Sequence, residues 1–393
     1  IRDSINAKDK VPFKIFDKKN AEKLFGKNLN ISASQLEKFN LCRFSYFCNY
    51  GLNVRERQKA EINPMQYGTI VHYILERFFG EYTKEEYLSL EEDKFQKIVC
   101  AYLAEYAVKY FGEEQLESNS FTYRLKTILD NVMYLMKHIM EELSQSEFFV
   151  ADCELKIGED IPSYTIVLPD GHKIAVCGSV DRVDIMQRAD ITYLRIIDYK
   201  TGTKQFKLSD ILYGINLQML LYLHSIEASG GDKYGEIVPA GILYMPATVP
   251  YISSDSLKSI DKLPDELNKK LKMNGLLLKD TEIIHGMDKT DVATYIPVKI
   301  KAGEPVSSTS LATLAEFGKI FKKVDMLIAE MGKNIYNGNI EAKPLKGGHD
   351  SCEYCPYDSV CAYRQSNPIT CFSVDNKTVI EEITNEINGK EEE

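Results

Sequence analysis

The spacing of apolar and polar positions divides this chain into stretches of helical and strand period. Near the start, Ser34-Gln-Leu-Glu37 reads as a capping box opening a short helix through Phe39. From Tyr67 to Phe79 apolar residues recur at helical spacing, and Gly68, His72 and Glu76, four apart, share one face. Residues 83–111 and 120–147 predict two long helices rich in Tyr, Leu and Met. Strands are expected next, at 148–157, 163–168, 173–186 and 191–199, with Pro169-Asp170-Gly171 turning a hairpin. A helix at about 213–228 and a strand at 239–246 follow. A polar segment with few periodic signals then runs to about 300, and a long helix covers about 308–336. Strands bracketed by helices predict a mixed α/β domain with helical insertions. Residues 1–30 read as a connector, and 372–393 as an acidic tail biased enough in composition to be disordered.

Composition sharpens this reading. Hydrophobic content of 44% with 27% charged residues over 393 positions is that of a soluble globular protein with a sizeable core. No apolar run reaches bilayer length, and the polar start has no signal-peptide core, so a cytoplasmic, membrane-free protein is expected. The chain does not begin with Met and is expected to be a piece of a longer polypeptide. A net charge of −10 argues against a basic coat, which leaves a local basic track as the means of meeting nucleic acid. Nine cysteines, an odd number without a secretion signal, point to a reducing compartment and to metal rather than disulfides.

Chemistry concentrates in Gly178-Ser-Val-Asp181-Arg-Val-Asp184 and, fourteen positions on, Asp198-Tyr199-Lys200. In a strand, residues i and i+2 leave one face, so Asp198 and Lys200 point together and Asp181 can face them from the neighbouring strand. Two carboxylates and an ammonium suit a divalent cation beside a phosphodiester, the lysine positioning or stabilising an attacking hydroxide. The bland alternative is an ion pair on a hairpin. His72 reads as a further metal ligand or as a satisfied core histidine. Glu76 reads as its partner or a solvated face, and Glu154 as an orienting residue or an ordinary strand ion pair. Gln218 and Tyr222, four apart on an apolar helix, are either helix surface or a polar pair aimed at a phosphate or at the lysine.

Cys352-x-x-Cys355-x5-Cys361 gathers three thiols in one loop, and Cys42 is the first candidate for a fourth, ahead of Cys48. Four thiolates fit a [4Fe–4S] cluster or zinc; one Cys-x-x-Cys pair with one remote ligand favours iron–sulfur over a zinc ribbon. Cys100, Cys153 and Cys177 sit in apolar segments and read as packing residues, and Cys371 stays open.

In this order, these motifs resemble the RecB-like PD-(D/E)xK nucleases, and among them the AddB-type nuclease domains of bacterial helicase–nucleases. Ile31-Ser-Ala-Ser-Gln-Leu-Glu37 leads to Cys42, and Gly68-Thr-Ile-Val-His72 is the histidine motif. Gly178 to Asp184 and Asp198-Tyr-Lys200-Thr-Gly202 are the acidic motifs, Gln218-Met-Leu-Leu-Tyr222 the Gln-x-x-x-Tyr motif. The resemblance covers about 31 to 365. It implies a nuclease core, a central mixed sheet flanked by helices, over about 31–371 with a helical insertion at about 80–147. His72, Asp181, Asp198 and the Tyr199 carbonyl would bind Mg²⁺ or Mn²⁺, with Asp181, Asp198, Lys200, Gln218 and Tyr222 catalytic. Cys42, Cys352, Cys355 and Cys361 would hold a [4Fe–4S] staple joining the terminal segments. The implied partners are DNA, with a single strand at the nuclease site, and an AddA-type subunit. The implied task is resection of double-strand breaks, cutting the 5′-ended strand. Weighed against this are a standalone iron–sulfur exonuclease and a non-catalytic DNA-binding module on the same fold.

Overall fold

The structure is a computed structural model that describes residues 14–55, 64–112, 118–202, 205–250, 263–307, 309–361, 363 and 368–391. In chain order the principal elements are α1 (Lys18–Phe25), β1 (Asn28–Ile31), α2 (Ala33–Leu41), α3 (Pro64–Glu81), α4 (Glu92–Phe111) and α5 (Asn119–Ser144). The strands β2 (Phe149–Ile157), β3 (Thr165–Val167), β4 (Lys173–Val176), β5 (Gly178–Arg188) and β6 (Ile191–Lys200) follow. Then come α6 (Gln218–Ser229), β7 (Glu236–Pro246), β8 (Asn274–Leu278), α7 (Leu314–Tyr336) and α8 (Asn376–Glu391).

A six-stranded mixed sheet forms the centre, in the order Leu311–Ala312, β8, β7, β6, β5, β2. β5 runs antiparallel to both β2 and β6, β6 parallel to β7, and β7 antiparallel to β8. A parallel β6–β7 pair needs a crossover, and α6 supplies it, packing on both strands. α3 lies against β2 and β6 and carries α4 and α5 with it; α7 packs on α6, and α8 on α7. β1 joins β4 and β3 in a smaller sheet. The α/β expectation and the central mixed sheet are borne out. No helix among the described residues is long and apolar enough to cross a membrane.

Several local readings change. The capping box is Ser32 with Gln35, not Ser34 with Glu37: β1 ends where the Ile31 carbonyl takes the Cys177 amide at 2.8 Å, so the chain turns into the helix at Ser32. Glu37 instead accepts the Leu217 amide at 2.8 Å, at the start of α6. The helix read over 83–111 breaks in two, Lys84–Leu88 and α4, because Thr83 and Glu86 form their own capping box and Ser89 bonds back to the Glu86 carbonyl. The strand read as 173–186 divides at Cys177 between the two sheets. The helix expected from 213 starts at Gln218, since Gly214 and Asn216 hold left-handed backbone. The segment without periodic signals contains β8, buried from Gly275 to Leu278 with no alternation to read.

Two terminal stretches were read as less ordered than they are. The expected connector supplies α1 and most of β1, its residues 1–13 lying outside those described. The expected disordered tail forms α8, where Val379, Ile383 and Ile387 are buried at helical spacing and Lys323 of α7 pairs with Glu386. Net negative charge masked that stripe.

Between α6 and α7, His224 is 8% exposed, stacked on Phe321, with Nε2 3.0 Å from Asp325 Oδ1 and Nδ1 3.6 Å from Glu227. Burial opposes its charge, but the two carboxylates outweigh it and hold the imidazole pKa at about 9, against 6.5 ordinarily. A raised folded pKa gives stability that is full below 6.5 and lost as pH rises through 9. His224→Asn is therefore expected to cost about 3 kcal/mol in urea unfolding at mildly acid pH, and far less at alkaline pH. An equal cost at both would show that the ring acts by packing alone.

Candidate active site

β5 and β6 pair with Arg182 opposite Ile197, a register that sets Asp181 against Asp198 one step further on. Asp181 Oδ2 accepts the Tyr199 backbone amide at 2.9 Å, which ties the two strands where the acidic residues meet. Asp198 is 2% exposed, and Lys200 Nζ lies 2.5 Å from its Oδ2. From α3, His72 reaches in: its Nε2 is 3.6 Å from Asp181 Oδ2, and its Nδ1 donates to Glu154 Oε1 at 2.9 Å. The β2–β5 register places Glu154 beside Asp181, and Ser179 Oγ donates to Glu154 Oε2 at 2.8 Å. One donor atom each from His72, Glu154 and Asp181 lie within 4.8 Å of one another, a spacing one cation can bridge.

Electrostatics agree with a site that awaits positive charge. Burial, reinforced by Asp198, pushes the Asp181 carboxyl up to about 7, with His72 opposing. Burial disfavours charge on His72, yet Glu154 and Asp181 raise its pKa overall. Glu154 is held low despite burial by its bonds from His72 and Ser179.

The structure thus brings together His72, Asp181, Asp198 and Lys200, and adds Glu154, which sequence reasoning left undecided. Tyr199 contributes its backbone here, while its ring turns away to accept Arg182 Nη1 at 3.3 Å. Tyr222 packs against the strand that carries Asp181: a Cβ on Gly178 would fall 2.2 Å from its hydroxyl. Burial raises Tyr222 to about 12, so it stays neutral. Gln218 is half-buried at the start of α6, and no hydrogen bond joins it to the acidic residues among the described residues. Glu76 is exposed one turn from His72.

The opposite face of β5 and β6 was not foreseen. Arg182, Asp184, Arg195 and Glu142 of α5 are all 0% exposed. Arg182 forks onto Asp184 with two 2.8 Å bonds and reaches Glu142 at 3.1 Å. Arg195 bonds Glu142 at 2.6 Å and Asp184 at 3.0 Å. Two cations and two anions cancel, which lets them sit in the core behind the site.

At the other end, Cys42, Cys352, Cys355 and Cys361 line a cavity of about 140 Å³ with Phe44, Ala342 and Pro344. Cys42 precedes the turn Arg43–Tyr46, and burial pushes its thiol pKa up although the Ser45 and Phe44 amides pull the other way. Cys48 is buried in the same cluster but does not line the cavity. Cys371 belongs to another cluster, with Ile215 and Leu345, and accepts the His349 amide. Cys177 Sγ bonds the Ile31 carbonyl, and Cys153 is held protonated by burial.

Residues 30–362 match the family profile of the PD-(D/E)XK nuclease superfamily. The chain is also similar to proteins named as a subunit of ATP-dependent helicase/deoxyribonuclease. That of Clostridium kluyveri (strain NBRC 12016) is 35% identical over 397 residues, covering 97% of this chain and 34% of the relative. That of Thermoanaerobacter sp. (strain X514) is 34% identical over 354 residues, covering 87% of this chain and 30% of the relative. The chain spans about a third of the length of these relatives. With the acidic pair on neighbouring strands of a mixed sheet, the lysine beside it and this match along most of its length, the chain belongs to the PD-(D/E)XK nuclease superfamily.

Proposed function

We propose that this chain is the metal-dependent nuclease domain of a larger ATP-dependent helicase–nuclease that processes DNA ends for recombinational repair, cutting the 5′-ended strand. The observation that carries the reading is the convergence of His72, Asp181, Asp198 and Lys200 at one end of the β5–β6 pair. The names of its relatives favour DNA as substrate and a second subunit as partner, and the resemblance of the motifs makes that subunit AddA-type.

His72, Asp181 and Asp198, with the Tyr199 carbonyl, would hold Mg²⁺ or Mn²⁺: nitrogen and oxygen donors suit such an ion, and His72 Nε2 lies 3.6 Å from Asp181 Oδ2. Bound there, the ion supplies charge against the phosphate and acidifies a water. Lys200, anchored on Asp198, directs its ammonium to the attacking oxygen and the phosphate charge. Tyr222, packed against Gly178, backs the strand that carries Asp181, and Gln218 one turn before it on the same helix completes the Gln-x-x-x-Tyr motif. Burial and Asp198 push the Asp181 carboxyl up to about 7, and a cation bound beside it would favour the charged form.

Three clustered thiols with one remote thiol around a shared cavity favour a [4Fe–4S] cluster over a zinc ribbon, which usually offers two Cys-x-x-Cys pairs. The cluster would join the segment after α2 to the loop after α7 as a staple.

The test is cleavage of end-labelled single-stranded DNA with and without Mg²⁺. Ion-dependent cleavage is expected, and its absence with the AddA-type partner present would overturn the assignment. His72→Ala should lower the rate roughly tenfold or more at limiting ion and recover in part at high Mn²⁺, as loss of one ligand weakens affinity first. A variant that loses only thermal stability would make His72 a core residue.

A further inference from the structure

Glu154 sits in the middle of β2 with φ of +50°, a left-handed backbone that a glutamate in a strand rarely adopts. The ladder continues on either side, with Cys153 opposite Arg182 and Leu155 opposite Val180, so the left-handed residue does not break the pairing, whose register shift lies upstream between Val150 and Asp152. Such conformations persist where surrounding contacts over-determine them, and both carboxylate oxygens here are engaged. Oε1 takes the bond from His72 Nδ1 at 2.9 Å, and Oε2 the bond from Ser179 Oγ at 2.8 Å.

We infer that Glu154 is a positioning residue that fixes the orientation and tautomer of His72, keeping Nδ1 protonated and Nε2 free for the divalent ion. The inference rests on the reading of His72 as a metal ligand. A carboxylate accepting from one ring nitrogen leaves the lone pair on the other. That other nitrogen, Nε2, faces Asp181 Oδ2 at 3.6 Å, the oxygen that also takes the Tyr199 amide. Both Glu154 oxygens are already committed to donors, one to His72 and one to Ser179, which holds the carboxylate against the imidazole. From this left-handed backbone position the carboxylate meets His72 of α3. Ser179, next to Gly178 at the start of β5, anchors the second oxygen from the neighbouring strand.

The experiment measures Mn²⁺ binding by calorimetry and the ring nitrogens of His72 by long-range ¹H–¹⁵N spectra of the metal-free full chain at alkaline pH. The His72 signal is identified by its loss in His72→Gln. Wild type is expected to show the Nδ1–H form. Glu154→Ala should weaken Mn²⁺ binding by about 10- to 100-fold and mix the tautomers. Glu154→Gln, whose amide oxygen still accepts from Nδ1, should lose less than Glu154→Ala. Ser179→Ala should fall between wild type and Glu154→Ala, and it stands in if the latter does not fold. Unchanged binding and an unchanged tautomer in Glu154→Ala would overturn the inference. Equal, complete loss of binding in the Gln and Ala variants with the tautomer intact would make Glu154 a direct ligand and overturn it too. The spectra need no cleavage: a wild type that neither binds Mn²⁺ nor cuts DNA defeats the nuclease reading, while the tautomer still reports on Glu154.

Discussion

Replacing Asp198 by alanine is expected to reduce Mg²⁺-dependent cleavage on the order of a thousandfold or more, with the fold retained. Asp198 is almost fully buried and is the residue on which Lys200 is anchored. Its loss removes a ligand and releases the ammonium together, so several kcal/mol of transition-state stabilisation go at once. Lys200→Ala should lose a comparable rate yet keep its Mn²⁺ affinity, because an ammonium repels the ion. Calorimetry beside a cleavage assay separates the two. There is a further signature in Asp181: Asp198 helps to raise its pKa, so in Asp198→Ala the Asp181 proton should leave at lower pH. Wild-type cleavage by Asp198→Ala would mean that the reacting phosphate lies elsewhere.

The second large effect is expected from Cys42→Ser. Cys42 and Cys352 are 310 residues apart (352 − 42), so a ligand bridge between them closes most of the chain into a loop. By loop-closure entropy such a bridge contributes on the order of 5 kcal/mol. Its loss should lower the melting temperature by roughly 10 °C, remove iron and sulfide, and weaken DNA binding while the acidic site is untouched. Cys100→Ser, in α4 and away from the cavity, should leave the cluster in place. Anaerobic protein should be brown, with iron and sulfide in near equal amounts. A colourless protein holding one zinc would keep the staple and discard the cluster. Full stability without any metal would discard both.

The acidic site was legible because its signal is local: period-two spacing alone puts Asp198 and Lys200 on one face, and the strand order brings Asp181 opposite. The four thiols were legible because three cysteines so closely spaced read as ligands more readily than as packing residues. Glu154 stayed undecided because its part depends on a backbone angle that no residue-type pattern announces. Asp184 read as one more acid of the motif, although three positions from Asp181 places it on the opposite face. Its true partners are Arg182 and Arg195, on β5 and β6, and Glu142 of α5 joins the same two arginines only in the closed fold. β8 and α8 were missed for opposite reasons, the first too evenly apolar to show a period, the second too charged for its apolar stripe to stand out.

That buried group of Arg182, Asp184, Arg195 and Glu142 bears on how sequences of this kind can drift. Each member is neutralised by the others and shielded from solvent, so a lone substitution strands a charge inside the protein. Pairwise replacement is hardly easier, because every ion touches two opposite ones. The four positions are therefore expected to change together, so that related sequences should either keep all four or exchange the whole set for apolar side chains of matching volume. A fingerprint of this kind would trace ancestry through the scaffold behind the metal site, independently of whether a given lineage still cuts DNA.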